Sequence, residues 1–215
     1  MDNSFYINHL NLYKSHVLVD LNMRFMVYTI YKNMSSKLRA ELKKVYKINK
    51  TIKYKRDKVK MQSLQNANKR IIKMLNKNNL KDIYKVGFVR NPIERYTSLF
   101  FYFKGIKNGK YLNINKDTNI NDWTKEYFIK NLNKISYKSN YHFNTQTSFL
   151  YYEGKLVVDE AIKIENVDYE YLRKKGIKLN GNIINKSSKD DVISDDTTLK
   201  MIKDVYRDDF ENFIS

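Results

Sequence analysis

Two short apolar runs constrain the fold of this 215-residue chain more than any other feature of its sequence. They are residues 23–31, MRFMVYTIY, and residues 83–89, IYKVGFV, and both combine β-branched and aromatic side chains. Runs of this length and composition are typical of strands that are buried on both faces of a sheet. Each run is followed by a turn and a helix-forming stretch, and this alternation predicts an α/β fold with a central parallel sheet flanked by helices.

The rest of the chain continues the alternation. We predict helices over residues 37–46, about 57–77, 122–132 and 168–175, and a short strand over residues 160–165. A C-terminal helix is predicted to carry one apolar face made of Leu199, Ile202, Val205, Tyr206, Phe210 and Phe213. Because no repeat, low-complexity tract or proline- and glycine-rich linker divides the chain, we predict a single domain over residues 1–215.

Several classes of protein are excluded by composition. The absence of cysteine excludes a disulfide scaffold, a thiolate zinc site and a cysteine nucleophile. Three histidines leave little material for a histidine-based metal centre, so we predict no metal. No apolar run approaches the roughly 20 residues that span a bilayer, and the N-terminus lacks the pattern of a signal peptide. We therefore expect a cytoplasmic protein without a membrane span.

The net charge of +18 indicates an anionic partner, but lysine supplies 33 of the 41 cations, a bias that AT-rich codons also produce. The charge is uneven, since residues 43–60 hold nine cations and one acid, and residues 187–215 hold four cations and eight acids. Two interpretations of residues 43–60 stay open, a cleft that attracts an anionic glycan and a solvated lysine-rich surface. A basic nucleic-acid-binding protein is an alternative function, although no helix-turn-helix, zinc-finger or RNA-stacking signature is evident.

The first strand leads into a turn with anion-binding character. Residues 32–38 read KNMSSKL, which places Lys32 at the end of the strand and the hydroxyls of Ser35 and Ser36 at the start of the helix. In open α/β sheets, helix N-termini beyond the carboxyl ends of strands present free N–H groups to ligands. The glycines of the nucleotide-triphosphate P-loop are absent. Taken alone, this segment is therefore more simply interpreted as a surface lysine beside serine caps.

The second strand leads into a more specific pattern. Residues 88–98 read FVRNPIERYTS, with the only proline of the chain at a position suited to the first turn of a helix. Arg90 lies at the end of the strand, and Ser98 follows eight residues later, about two helical turns along. Arg95 falls between them. Ion pairing of Arg90 and Arg95 with nearby acids such as Glu94 is the competing interpretation.

Taken together, these segments resemble sulfotransferases that use 3′-phosphoadenosine 5′-phosphosulfate (PAPS), especially the carbohydrate-modifying branch. KNMSSKL is similar to the family's 5′-phosphosulfate loop, and RNPIERYTS to its 3′-phosphate element, Arg-x-Pro-x-x-Arg-x-x-Ser. Further segments follow in the family's order: NYHFNTQTSFL, DEAIKIENVDYEYLRKKG, NKSS and VYRDDFENF. The resemblance covers residues of about 23–213. It departs from the family at Tyr31, Met34-Ser35 and Thr145, where Pro, a small or Gly pair, and Pro are usual.

The resemblance implies a fold, a donor and a reaction. The fold is the P-loop-like sulfotransferase fold, the donor is PAPS and its product is adenosine 3′,5′-bisphosphate (PAP). The reaction is in-line transfer of a sulfuryl group to a hydroxyl of a carbohydrate or carbohydrate-like acceptor, which requires positioning and charge stabilisation rather than a covalent intermediate. A member that binds PAPS without transferring sulfate is a further alternative. The resemblance implies these donor-binding residues: Lys32, Asn33, Ser35, Ser36, Lys37, Arg90 and Ser98.

Roles in the chemistry follow from the same resemblance. Lys32 would hold the sulfate and the bridging oxygen, and Arg95 would be a structural cation. An acceptor hydroxyl must lose a proton, and His142 is the candidate general base because it falls in the family's histidine-containing segment. The competing interpretation is a histidine bonded to a backbone group and packed near Phe143, and Glu165 is either the family's downstream glutamate or structural. The family's animal members are usually membrane-tethered in the secretory pathway, so the absence of both a tether and cysteines favours a bacterial or viral setting.

Overall fold

The computed structural model describes residues 16–20, 25–45, 69, 72–73, 75–76, 82–104, 124–131, 141–180 and 195–214. The chain forms two compact units. The first unit comprises Met1–Val89 and Gln146–Ile184, and the second comprises Arg90–Thr145 and Asn185–Ser215. Each unit is built from two separate stretches, so no single boundary in the sequence divides them, and the one-domain prediction for residues 1–215 stays a prediction.

Strands and helices alternate through most of the described chain, as the sequence predicts. In chain order the elements are β1 (His16–Asp20), β2 (Phe25–Thr29), α1 (Ser35–Val45), β3 (Tyr84–Val89), α2 (Pro92–Lys104), α3 (Lys125–Lys130), a 3₁₀ turn (Tyr141–Phe143), α4 (Gln146–Leu150), β4 (Tyr151–Tyr152), β5 (Lys155–Leu156), β6 (Glu160–Lys163), a second 3₁₀ turn (Ile164–Asn166), α5 (Tyr169–Lys174), α6 (Asp196–Val205) and α7 (Arg207–Phe213). Of the helix predicted over about 57–77, residues 69, 72, 73, 75 and 76 are helical, and the rest lies outside the described residues. Only residues 43–45 of the basic run 43–60 are described, as the end of α1.

The main sheet belongs to the first unit and has the strand order β1-β2-β3-β6. β2, β3 and β6 run parallel, with Val27 opposite Val86 and Val86 opposite Glu160, which confirms the predicted α/β class and parallel sheet. β1 pairs antiparallel with β2 and was not predicted. Since β2 and β3 are parallel neighbours, their carboxyl ends lie at the same edge of the sheet. The two turns singled out in the sequence follow these two ends.

Close packing holds α4 against the middle of the sheet. Gly87 lies within β3, and a Cβ atom at this position would come within 2.7 Å of Leu150 Cδ2. The missing side chain therefore makes room for Leu150, which is fully buried. On the same unit, Leu38 and Leu42 of α1 lie one turn apart and pack into a core with Phe25, among other residues. Both contacts fix helices next to the strands whose ends carry the candidate site.

Aromatic side chains dominate the core of the second unit. Four of its members, Tyr96, Leu99, Phe100 and Phe103, repeat at three- and four-residue spacing along α2. They pack with buried residues of α3, the Tyr141–Phe143 turn and α6, namely Phe128, Ile129, Phe143 and Ile202. The helix predicted over residues 122–132 is confirmed as Lys125–Lys130, capped by Thr124, whose side chain accepts from the Tyr127 amide.

The C-terminal segment is two helices where the sequence predicts one. α6 ends at Val205 and α7 begins at Arg207, because Tyr206 leaves the helical conformation with φ −112° and ψ 29°. The predicted apolar face is nevertheless confirmed, since its six residues are buried or packed against the core of the second unit, or buried at the end of α7. Among the described ranges, none of the helices combines the length and the apolar character needed to cross a bilayer.

Candidate functional site

The turn between β2 and α1 has a strained backbone. Lys32 and Met34 adopt left-handed conformations, with φ of 67° and 57°, and neither is glycine. Asn33, between them, donates its backbone N–H to the Ile30 carbonyl at 3.1 Å. Left-handed non-glycine residues cost roughly 1–3 kcal/mol each and are concentrated at ligand sites. Turns of alternating handedness of this kind also form concave anion-binding nests of backbone N–H groups, as in P-loops.

The turn feeds directly into the N-terminus of an eleven-residue helix. The first helical bond runs from the Leu38 N–H to the Met34 carbonyl at 2.9 Å, so the amides of Ser35, Ser36 and Lys37 precede it and have no carbonyl partner within α1. The first turn carries no acidic residue that would neutralise the positive end of the helix dipole. Ser35 is buried and Ser36 is exposed. The sequence thus places backbone donors and one exposed hydroxyl where an anion could bind.

Asn33 ties this turn to two other segments of the first unit. Its side chain is fully buried, and its Nδ2 donates to the Phe88 carbonyl at 2.9 Å and to Gln146 Oε1 at 2.5 Å. Phe88 belongs to β3, and Gln146 is the first residue of α4. Because the side chain is fully buried and its Nδ2 is bonded to these acceptors, any contact of Asn33 with a donor nucleotide would have to come from its backbone. The sequence prediction of Asn33 as a donor-binding residue missed this structural role.

The Lys37 side chain points to partners within the first unit. It is almost fully buried, with its Nζ 5.0 Å from the centre of the Tyr169 ring and 3.4 Å from the Tyr169 hydroxyl. Glu41 Oε1 lies 3.9 Å away, and the other Glu41 oxygen accepts from the Asn180 amide at 2.7 Å. Of the predicted contributions of Lys37 to binding, its backbone N–H is the one that fits this geometry. Glu41 thus contacts both Lys37 and Asn180.

In the second unit, the sequence after β3 begins a well-capped helix. Arg90 and Asn91 follow Val89, the last residue of the strand, and α2 begins at Pro92. Asn91 Oδ1 accepts from the Ile93 amide at 2.9 Å, and the Asn91 carbonyl accepts from the Arg95 amide at 2.8 Å. Pro92 therefore occupies the first helical position, where its missing N–H costs nothing, as predicted.

Arg90 makes an ion pair with the acid one turn further on. Its Nε and Nη2 lie 3.3 and 3.2 Å from Glu94 Oε2, so this part of the competing interpretation is confirmed. The Arg90 side chain is 14% exposed, whereas that of Glu94 is 53% exposed. Pairs with one solvent-exposed partner contribute little, typically under about 1 kcal/mol, and can be exchanged for a stronger anion. Ser98 lies half-buried further along the same helix.

Arg95 is the most buried cation that the structure describes, at 1% exposure. Its Nη2 donates to the His142 carbonyl at 3.0 Å, and its guanidinium lies 5.8 Å from the centre of the Tyr206 ring. Burial lowers the pKa of Arg95, and the carboxylate of the fully buried Asp209 acts in the opposite direction. These contacts fit the expected structural role of Arg95. They are made with the His142 carbonyl and the Tyr206 ring, whereas the competing interpretation named Glu94.

The ring of His142 is held by aromatic neighbours. It stacks on Tyr102, with centroids 5.4 Å apart and an interplanar angle of 22°, and it meets Phe103 edge-on at 5.6 Å. The ring is half-buried, and the competing interpretation, a bond to a backbone group with packing near Phe143, stays a prediction. Glu165 is exposed in the second 3₁₀ turn. The basicity of His142 in a reaction stays a prediction.

The predicted site residues thus fall into two groups. Within the first unit, one turn and helix start bring together Lys32, Asn33, Ser35, Ser36 and Lys37. Within the second unit, Arg90 lies two residues before α2 and Ser98 lies on it, and Arg95 on the same helix contacts the segment of His142. Sequence reasoning missed the roles of Gln146 and Asp209. Both lie in segments that carry the family resemblance, which was the available signal. No protein-family model matches the chain, and comparisons with curated proteins and with solved structures give no match.

Proposed function

We propose that this protein is a PAPS-dependent sulfotransferase that acts on a hydroxyl group of a carbohydrate or carbohydrate-like acceptor. The observation that carries the proposal is the turn after β2, where Lys32 and the left-handed backbone at Lys32 and Met34 precede an uncompensated helix N-terminus. Asn33 fastens this turn to β3 two residues before Arg90, at the sheet edge where α/β proteins bind ligands. A lysine on an ordinary surface turn would not require either the strain or the buried amide.

The residues of the turn fit the 5′ end of the donor. The amides of Ser35, Ser36 and Lys37 at the helix start would bind the 5′-phosphate, and the exposed Ser36 hydroxyl would add one donor. Lys32 supplies a compact positive charge for the sulfate and the bridging oxygen, on which negative charge grows as the bond to sulfur breaks. The donor supplies the sulfuryl group, and the chain supplies charge and position.

Arg90 and Ser98 fit the 3′-phosphate, which distinguishes PAPS from other adenosine nucleotides. The Arg90 guanidinium already points its Nε and Nη2 at a carboxylate oxygen of Glu94. The same pair of donors can bind a phosphate in bidentate fashion, with more charge than a carboxylate provides. Glu94 is largely exposed, so releasing it to water costs little.

Binding of PAP provides the first test. A ligand at about 100 times its Kd stabilises the folded state by about 2.7 kcal/mol, which corresponds to a rise in Tm of about 5–10 °C for a chain of this size. We expect this rise with PAP and a much smaller one with adenosine 5′-monophosphate, which lacks the 3′-phosphate. No rise with PAP, together with tight salt-sensitive DNA binding, would replace the proposal with the nucleic-acid alternative.

Three variants sharpen this test. Arg90→Ala is expected to abolish the PAP-dependent rise in Tm, because the guanidinium that is proposed to bind the 3′-phosphate is lost. Glu94→Gln removes the competing acid and is expected to keep or enlarge the rise. Arg173→Ala is the matched control, since Arg173 is an exposed arginine that pairs with Glu170 on α5, and it should leave the rise unchanged. An undiminished rise in Arg90→Ala refutes the 3′-phosphate assignment.

Transfer itself requires a separate measurement. We expect label from ³⁵S-PAPS to appear in at least one member of a panel of neutral and anionic glycans, and Lys32→Ala to abolish the transfer. A protein that binds PAP but labels no hydroxyl acceptor would be a PAPS-binding member without transfer activity.

A further inference from the structure

The geometry points to Arg95 as a positioning residue that holds His142 in place for proton removal from the acceptor. This inference rests on the proposed function and extends it to a residue that touches neither donor nor acceptor. All the contacts that carry it lie within the second unit.

Three separate stretches of the chain meet at the Arg95 side chain. α2 carries the residue, the Tyr141–Phe143 turn supplies the His142 carbonyl at 3.0 Å, and the junction of α6 and α7 supplies the Tyr206 ring at 5.8 Å. Asp209, fully buried in α7, adds a negative charge. A single guanidinium therefore joins segments more than a hundred residues apart in sequence.

The histidine is held at two points by the same helix. Arg95 fixes its main chain through the carbonyl, and Tyr102 fixes its ring by stacking. These two residues are seven apart on α2, which places them on one face of the helix about two turns from each other. Phe103 closes the edge of the ring. The backbone position and the ring plane of His142 thus depend on one rigid element.

A buried arginine is a costly way to fill this space. Taking a charge out of water is expensive even where the charge is paired, and apolar side chains of similar volume often stabilise a core at least as well. Arg95 differs from an apolar residue in that it can donate to a carbonyl at a defined point. We therefore attribute its presence to the placement of His142 rather than to packing alone.

The step served by this arrangement is a proton transfer coupled to sulfuryl transfer. The acceptor oxygen forms a bond to sulfur as the bond from sulfur to the 5′-phosphate oxygen breaks, and PAP leaves with that electron pair. The acceptor proton passes to the imidazole of His142. Arg95 neither gains nor loses a proton. General bases typically contribute 10²–10⁴-fold to rate, and misplacement by about 1 Å can cost 10²-fold.

The test combines nuclear magnetic resonance with kinetics. The three histidines give three sets of imidazole signals, and His142→Gln identifies the set that is shifted by the Tyr102 ring current. Arg95→Met removes the donors and keeps a long side chain. We expect it to move the His142 signals toward those of a solvent-exposed histidine and to lower kcat about 10²-fold, with KM for PAPS changed less than about threefold. Arg207→Met, which alters an exposed arginine of α7, should change none of these values.

Two further variants keep the inference falsifiable if Arg95→Met does not fold. Arg95→Lys keeps the charge and one donor and should restore part of kcat and of the His142 shift. Tyr102→Leu leaves Arg95 in place, removes the ring stack and should lower kcat with Tm nearly unchanged, because Tyr102 is 42% exposed. Unmoved His142 signals in a folded Arg95 variant, or an unchanged kcat, overturn the inference. If the wild-type protein neither binds PAP nor transfers sulfate, the proposed function itself fails.

Discussion

Replacement of Asn33 by alanine tests the connection between the strained turn and the sheet. The substitution removes both N–H donors of the side chain and leaves the Phe88 carbonyl and Gln146 Oε1 each without that donor inside the first unit. A buried polar group deprived of its partner costs about 1–3 kcal/mol. Asn33 Oδ1 makes no hydrogen bond to the described part of the chain, so its removal returns roughly 1–2 kcal/mol of that cost. Because two acceptors lose this donor, the combined cost is about 2–6 kcal/mol, and the net loss of stability should be about 1–4 kcal/mol.

The aspartate variant of the same position separates hydrogen bonding from packing. Asn33→Asp keeps the shape but places a carboxylate oxygen against two acceptors, so it should lose more stability than alanine at neutral pH. Repulsion and burial would raise the pKa of the introduced carboxyl in the folded state. A raised folded-state pKa means that folding favours the protonated carboxyl. The loss of unfolding free energy of Asn33→Asp relative to wild type should therefore shrink as the pH falls.

Equilibrium unfolding in guanidinium chloride, followed by far-UV circular dichroism, measures these losses. Because the chain forms two compact units, hydrogen exchange of peptides from β2 and β3 should be measured in parallel to assign the loss to the first unit. Asn166→Ala, at an exposed asparagine of the second 3₁₀ turn, is the matched control. A loss below about 0.5 kcal/mol in Asn33→Ala, or an aspartate variant as stable as wild type, refutes the proposed role of the amide.

Three other changes have defined outcomes. Gly87→Ala should cost about 1–3 kcal/mol in denaturant unfolding because its Cβ meets Leu150, and Leu150→Ala should cost less in that background than alone. Glu153 has φ 49° in the two-residue turn between β4 and β5, so Glu153→Asn should raise the free energy of unfolding by about 0.5–1 kcal/mol. Hydrogen bonding from Thr198 lowers the pKa of Asp195, the N-cap of α6. The ionised cap therefore stabilises the folded state fully above the usual pKa near 3.8, and this contribution is lost as the pH falls through the lowered pKa. The exchange rate of the Thr198 amide relative to the unfolded chain should rise below that pH in wild type, and in Asp195→Asn this relative rate should not depend on that titration.

Local pattern was sufficient to predict most elements of the fold. β2 and β3 are short and largely buried runs, and α2 and α5 follow the capping residues Asn91 and Asp168, so their signals lie within a few neighbouring residues. β1 was missed because a five-residue strand at the sheet edge has little pattern of its own and is defined by pairing with β2. The break at Tyr206 was missed because the apolar spacing of the C-terminal segment continues through it.

The site was predicted in part, and the limit is sequence separation. Lys32, Ser36 and Arg90 are placed by the elements that immediately precede or follow them. The amide of Asn33 is directed by partners 55 and 113 residues away, and the ammonium of Lys37 by a tyrosine 132 residues away. Such contacts leave no trace in local composition. The directions of the Asn33 and Lys37 side chains therefore became known only from the structure.

The interleaving of the two units along the chain has a consequence for biosynthesis. β3 is made well before its neighbour β6, and the first unit is incomplete until Ile184 has been synthesised. At about 5–20 residues per second, the ribosome spends on the order of ten seconds between Val89 and that point. Until β6 has been made, within this interval, one edge of β3 is open to other chains. We expect the nascent protein to depend on chaperones until β6 emerges, and slowing translation before Glu160 should increase aggregation in the cell.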